Sequence, residues 1–347
     1  MHKLTHNILY FFNEHKSLSL LIAMFMLAVV LFPRFNMQDI ALIKPLTGVA
    51  AGEMTPDQKN YYNFTEYFKG NKDINTVWAP FIYRPLMPFA ASLLPFNSML
   101  SMSMVNVIAN LITLLLIYFT FKKLEFGFAY RIAGIMLYII SFPLLYYGSS
   151  GFLEPTANLF IYLIVYLTVS NKKILLALTF IFAALTKEVT ILALPFSFVY
   201  FQVNNKNNKK EFNTSIYIIV LSFILFIATN ILVRSYFSTG SQYLWSPSFQ
   251  TAINNLSRTK TYLSFILGLG LPGILVIFYV IKDGKRAIKA LLPWFTSMLF
   301  AFLLSIYSVI AAYSDGRFIW TGYPFMIVIS IYYLRRISDN NFISTIK

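Results

Sequence analysis

A handful of charged residues in this sequence stand where long apolar runs begin or end. An ionisable group there is costly unless it meets water, a partner or a substrate. Asp57 precedes the pair Tyr61-Tyr62 by one helical turn, a spacing that sets a carboxylate and a phenol on one helix face. Arg84 is the single charge of 79–96 (APFIYRPLMPFAASLLPF), where Pro85 and Pro88 bracket a turn toward the membrane. Glu154 is the lone acid of SSGFLEPTANLF, Lys187 and Glu188 adjoin in LTKEV, and Asp315 and Arg317 share the turn SDGRF ahead of Tyr323-Pro324. Asp39 is a further acid just beyond the first apolar run. A carboxylate so placed can take a proton from a hydroxyl, and a guanidinium or ammonium can hold a phosphate. Each residue also has an ordinary reading. Asp57 and Glu154 suit helix N-termini, Arg84 can snorkel, Lys187 and Glu188 can pair to cap a turn, and Asp-Gly is a common turn.

The elements that must position these residues follow from composition. The chain has 347 residues, is 58% hydrophobic and only 12% charged, and has a mean hydropathy of +0.65. So few charges cannot cover the exterior of a soluble fold of this size, so the chain belongs in a bilayer as an all-α, polytopic protein. The formal charge of +15 is not a nucleic-acid signature, because no polar basic domain accompanies it. With no cysteine, disulfides, thiolate nucleophiles and thiolate metal sites are excluded. The three histidines, His2, His6 and His15, all precede the first apolar run.

Apolar windows long enough for roughly 30 Å of hydrocarbon suggest about ten spans. They lie near 17–33, 98–121, 126–147, 152–170, 173–187, 189–203, 214–236, 261–281, 291–313 and 318–334, the fifth and sixth being short and hinged at 186–188. The first reads as an uncleaved span. With both termini inside, the cytoplasmic connections carry 17 basic and 5 acidic residues, and the outer ones 11 and 8. The excess positive charge is therefore mostly a matter of orientation, and the candidate residues all fall on the outer side. One integral membrane domain, 1–347, includes a short solvated cytoplasmic linker at 204–213.

The first outer loop, 33–97, is far longer than a turn requires and is expected to carry interfacial or re-entrant helices. Thr55 as N-cap, Pro56 at the first helical position and Asp57 in the first turn predict a helix start. Tyr61, Phe64, Tyr67 and Phe68 then make an aromatic stripe suited to the membrane interface. A second outer loop, 238–259, with Tyr243, Trp245 and Phe249, suits the same role.

Taken in order, the Asp before a tyrosine pair, the YRPLMP box, the LTKE apex and the DGRF…YP turn resemble small bacterial polytopic glycosyltransferases of the GT-C type, which use polyprenyl-phosphate sugars. The resemblance implies that Asp57, with Asp39 as rival, is the catalytic base. It also implies that Arg84, Lys187, Glu188, Asp315 and Arg317 contact the donor phosphate and sugar; Tyr61, Tyr62 and Glu154 are further candidate substrate-binding residues beside them. The partners it implies are a lipid-linked sugar donor, a glycan or lipid acceptor and membrane lipids, at the plasma (inner) membrane, with no nucleic acid. The reaction is an inverting single displacement, and any metal would be Mg²⁺ or Mn²⁺ rather than Zn²⁺, given no outer His or Cys. Two other readings remain open on the residues alone: a transporter or flippase of lipid-linked saccharide, and a polymerase of oligosaccharide repeat units. The former would favour mid-membrane charges and internal repeats, the latter cationic outer loops.

Overall fold

The structure, a computed structural model, describes residues 2–35, 54–237, 245–312 and 316–345. Asp39, Asp315 and Tyr243 lie outside the described residues. The described chain is helical, with no β-strand. In order the helices are α1 (His2–Glu14), α2 (Lys16–Leu31), α3 (Pro56–Phe68), α4 (Leu86–Ser92), α5 (Ser98–Lys123), α6 (Phe128–Ile139), α7 (Phe142–Tyr147), α8 (Glu154–Val169), α9 (Lys173–Thr186), α10 (Leu194–Asn204), α11 (Lys209–Tyr236), α12 (Phe249–Leu256), α13 (Thr259–Asp283), α14 (Lys285–Ala290), α15 (Leu292–Ala311), α16 (Arg317–Trp320) and α17 (Tyr323–Thr345), with 3₁₀ turns at Phe32–Arg34, Ile74–Thr76, Phe81–Tyr83 and Glu188–Ala193.

Among the described residues five helices are long and apolar enough to cross a membrane: α2 with the turn that follows it, α5, α11, α13 and α15. Large apolar side chains cover their outer faces, among them Phe25, Leu115, Leu232, Ile266 and Leu299. That is the surface of a membrane protein, since hydrocarbon, unlike water, imposes no cost on it. The remaining expected spans are more broken than a hydropathy window can show. The 126–147 window is two helices, because Ser141 accepts from Leu144 N at 3.3 Å and starts a new helix at Phe142-Pro143. The 12 residues of α6 then rise only about 18 Å. The 189–203 window begins as a 3₁₀ turn before α10, and the 318–334 window is interrupted between α16 and α17. Within α13, Gly270 has φ +52° two residues before Pro272, and the ladder breaks there. Ser330 Oγ donates to Pro272 O at 2.9 Å, and Tyr323 Oη reaches Leu269 O at 3.4 Å.

Two apolar cores result. The larger joins α2, α5 to α11 and α13 to α17. The smaller lies under α3 and contains Tyr61, Phe64, Val77, Ile82, Met87, Met99, Met102 and Leu153. This corrects the expected interfacial stripe: Tyr61 and Phe64 are buried, with Tyr67 and Phe68 packed at the core's edge. The described part of the loop, 54–97, is thus folded onto α5 and the residue that precedes α8, because the stripe finds apolar partners in its own chain. Trp245 likewise packs on Tyr307 and Phe318, at 5.9 and 5.3 Å between ring centroids, whereas Phe249 is 83% exposed.

The helix ends sort into two groups. At one end Ser149 Oγ donates to Leu31 O at 2.6 Å, and the N-terminus of α3, the 81–83 turn, the start of α8 and the ends of α9 and α11 meet. At the other, Ala129 N donates to Asn13 at 3.1 Å, Lys173 pairs with Glu211 and Arg336 with Asp283.

Candidate functional site: a charge network at one end of the bundle

Glu154 is held from below by two amides of α5. Asn106 Nδ2 donates to Ser150 O at 2.6 Å and Phe152 O at 2.9 Å, and Asn110 Nδ2 donates to Gly148 O at 2.7 Å. Tyr138 Oη in turn donates to Asn110 Oδ1 at 2.7 Å. These bonds fix the 148–153 loop, so that Glu154 begins α8 ahead of Pro155 with its side chain 5% exposed. Asp57 occupies the first turn of α3, whose start is fixed by a reciprocal capping box between Thr55 and Gln58. Asn60 accepts from Trp78 N at 2.8 Å and ties that helix to the loop before Arg84.

Arg317 is seated by glycine. A Cβ at Gly316 would lie 2.6 Å from Ser264 O, and one at Gly268 would lie 3.1 Å from Gly316 Cα. Only two glycines allow α13 and this turn to approach so closely. Lys187 interrupts α9 with an extended backbone (φ −167°, ψ 138°). Successive side chains of an extended segment point opposite ways, so Lys187 and Glu188 turn to different partners.

The expected Lys187–Glu188 ion pair is therefore absent, and each residue pairs with a distant segment. Lys187 Nζ donates to Glu154 Oε1 at 2.5 Å, and Arg317 Nη1 lies 3.6 Å from the same oxygen. Arg317 Nη1 also donates to Asp57 Oδ2 at 2.5 Å. Arg84 Nε and Nη2 both reach Glu188 Oε2, at 2.9 and 2.8 Å, while its Nη1 donates to Tyr61 Oη at 3.0 Å. Arg234 Nη2 stands 4.0 Å from the other Glu188 oxygen. Three carboxylates thus alternate with three buried cations, and Arg234, half-exposed, adds a fourth positive charge.

Aromatic rings wall the network. Phe152 and Phe318 face Arg317 at 5.8 and 5.4 Å, and Tyr83 lies under Arg234 at 4.7 Å. Burial pushes the Tyr61 phenol up, and the nearby Arg84 only partly opposes this, so Tyr61 stays a neutral hydroxyl. Burial alone would lower Arg84, but Glu188 and Tyr61 more than compensate and keep it charged. Asp57 Oδ1 accepts no hydrogen bond among the described residues, and the side chain is 19% exposed.

Of the residues singled out from sequence, the structure brings together Asp57, Tyr61, Arg84, Glu154, Lys187, Glu188 and Arg317. Tyr62 stands apart: its ring faces Lys72 at 5.1 Å, because one step along a helix turns a side chain about 100° away from Tyr61. Arg234, the rings of Phe152 and Phe318, and the Asn106–Asn110 clamp were not foreseen. The clamp had a readable signal, two amides one turn apart in an otherwise apolar run. Among the described residues no three carboxylates or imidazoles gather as metal ligands, and Asp57, Glu154 and Glu188 each face a cation.

Beside the network an apolar groove of about 520 Å³ opens on the outer surface. Pro85, Leu185, Leu232, Val233, Tyr236 and Phe237 line it, next to Arg84 and Arg234. Fold and site together define a helical membrane protein with a charge-paired, aromatic-walled site at one end of its bundle. No protein-family model matches the chain, and a search of curated proteins finds no relative.

Proposed function

We propose that this protein is a membrane glycosyltransferase of the GT-C type. It would move a sugar from a polyprenyl-phosphate donor to a lipid-linked or cell-envelope glycan acceptor at the extracytoplasmic face of the plasma membrane. The observation that carries the reading is Asp57: a carboxylate with one oxygen fixed by Arg317 and the other accepting no hydrogen bond among the described residues, in one chain of ion pairs with Glu154 and Lys187 and beside the Arg84–Glu188 pair. In the mechanism, Asp57 Oδ1 takes the proton of the acceptor hydroxyl as that oxygen attacks the anomeric carbon. The bond to the phosphate oxygen breaks, with inversion, and the phosphate leaves with the electron pair. Arg84, Lys187, Arg317 and the exposed Arg234 supply positive charge to the departing phosphate, where little water competes. The apolar groove beside Arg84 suits the donor's hydrocarbon chain, and the rings of Phe152 and Phe318 suit a sugar face.

The test uses purified protein with radiolabelled polyprenyl-phosphate sugars and candidate glycan or lipid acceptors. Turnover by wild type should fall on the order of 10²–10⁴-fold in Asp57→Asn, the range for removing a general base. Arg84→Ala should also lose activity. Full activity in both variants would sink the catalytic assignment. Donor movement across vesicles without sugar transfer would instead favour the flippase reading.

A further inference from the structure

Arg34 closes the 3₁₀ turn after the first membrane-spanning helix, on the same end of the bundle as the charge network, and none of the chemistry above uses it. It is buried, with 3% of its surface exposed, although Phe32 two residues earlier is 79% exposed. One face of the guanidinium lies over the Tyr146 ring, 4.5 Å from its centroid. Nε and Nη2 are buried and have no hydrogen-bond partner among the described residues. No carboxylate pairs with Arg34 among the described residues.

These two nitrogens are not an arbitrary pair. They form the side-on edge of the guanidinium, whose parallel N–H bonds match two oxygens of one phosphate or carboxylate. A charged edge shielded from water and left unfilled is expensive, more so at the end of a membrane span. Tyr146 covers one side of the group, and the hydrogen-bonding capacity left over is on the Nε–Nη2 edge, which suits an anion. The place limits its chemistry further. Arg34 follows directly on an apolar helix, at the depth where hydrocarbon gives way to lipid headgroups. Tyr146 packs on Tyr147 at 4.5 Å, and Tyr147 on Phe152, the ring that faces Arg317. The edge is therefore separated from the Asp57–Arg317 pair by a layer of aromatic rings.

We propose that the Nε–Nη2 edge of Arg34 is a binding site for a phosphate group, distinct from the charge network and filled by a lipid headgroup or by free phosphate. The proposal does not depend on the sugar-transfer reading, since Arg34 takes no part in that chemistry.

The experiment is native mass spectrometry of the full chain in detergent, titrated separately with dioleoyl phosphatidic acid, with dioleoylglycerol as its neutral twin, and with inorganic phosphate. Wild type should hold phosphatidic acid on the order of tenfold or more tighter than Arg34→Gln, the loss expected for a charged bidentate contact. Dioleoylglycerol should not distinguish the two. Arg34→Lys, which keeps the charge but not the fork, should fall near Arg34→Gln. A preference of wild type for inorganic phosphate over both variants would assign the site to free phosphate; a preference only for phosphatidic acid would assign it to a lipid. Should neither variant fold, the comparison of phosphatidic acid with dioleoylglycerol on wild type decides. Equal binding of phosphatidic acid and dioleoylglycerol by wild type, with no adduct of inorganic phosphate, would overturn the proposal. So would an Asp39→Asn variant destabilised as much as Arg34→Gln and not additively with it, because the edge would then belong to an internal ion pair.

Discussion

The two ends of this bundle carry ion pairs of opposite character. At the basic end Lys173–Glu211 and Arg336–Asp283 each join one cation to one acid, with one partner of each pair well exposed. At the other end Asp57, Arg317, Glu154 and Lys187 form a shared chain, and Arg84, Glu188 and Tyr61 a second cluster, all largely buried. Exposed pairs contribute little to stability because water serves either partner nearly as well. Buried pairs rarely add net stability over an apolar replacement, yet losing one partner is severe, because the other charge is stranded. The difference teaches that the two ends need different explanations. The basic end matches the charge bias expected of orientation in a membrane, and the buried end holds charges that packing alone would not select, in keeping with the proposed transferase site.

That contrast can be broken most directly at Arg317. Arg317→Leu strands Asp57 and leaves Glu154 with Lys187 alone, and should cost about 3–5 kcal/mol in thermal or denaturant unfolding, whereas Glu211→Gln at the basic end should leave the unfolding midpoint unchanged. Equal effects of the two substitutions would erase the distinction between the ends. Next in size, Asn106→Leu releases the carbonyls of Ser150 and Phe152, and an expected loss of about 1–3 kcal/mol follows from leaving buried acceptors unmet. Sugar transfer should fall with it, through displacement of Glu154, and an active, destabilised variant would show that the clamp serves the fold alone. Gly316→Ala should cost about 1–3 kcal/mol by overpacking against Ser264 O. Gly268→Ala, which meets the same turn, should not add fully to it in a double-mutant cycle.

The smallest effect concerns Glu66, on the outer loop but outside the network. Burial alone would raise its carboxyl, but Ser98 and Asn71 donate to it and hold it below the usual range. A carboxyl lower in the folded than in the unfolded state contributes stability above its unfolded value. That contribution disappears as the pH falls through the lower, folded value. Glu66→Gln should therefore remove a small contribution to stability at neutral pH and flatten the acid limb of a stability–pH curve to match; an unaltered acid limb would contradict it.

How much of this was legible in the sequence differs between local and distant features. Thr55, Pro56 and Asp57 specify the start of α3 by themselves, and the structure adds only the reciprocal bond from Gln58. The break at Ser141 was hidden, because a hydropathy window averages over a single cap. Seven of the candidate residues converge, since a charge at a span end is conspicuous wherever the chain later puts it. Their pairing was not legible. Lys187 and Glu188 look like partners until an extended backbone turns them apart, and Asp57 finds Arg317 across 260 positions.

The sequence by itself determined that this chain lives in a membrane, that its helices alternate between a basic end and a mixed one, and which ionisable residues stand at span ends. Composition and periodicity suffice for that, because solvation acts on each segment separately. Only the tertiary structure decided that the aromatic stripe of α3 packs inward, that Gly268 and Gly316 bring Arg317 to Asp57, and that Arg34 is buried with no acid beside it among the described residues. Those outcomes depend on which surfaces meet, and contact between distant segments has no signature in either segment alone.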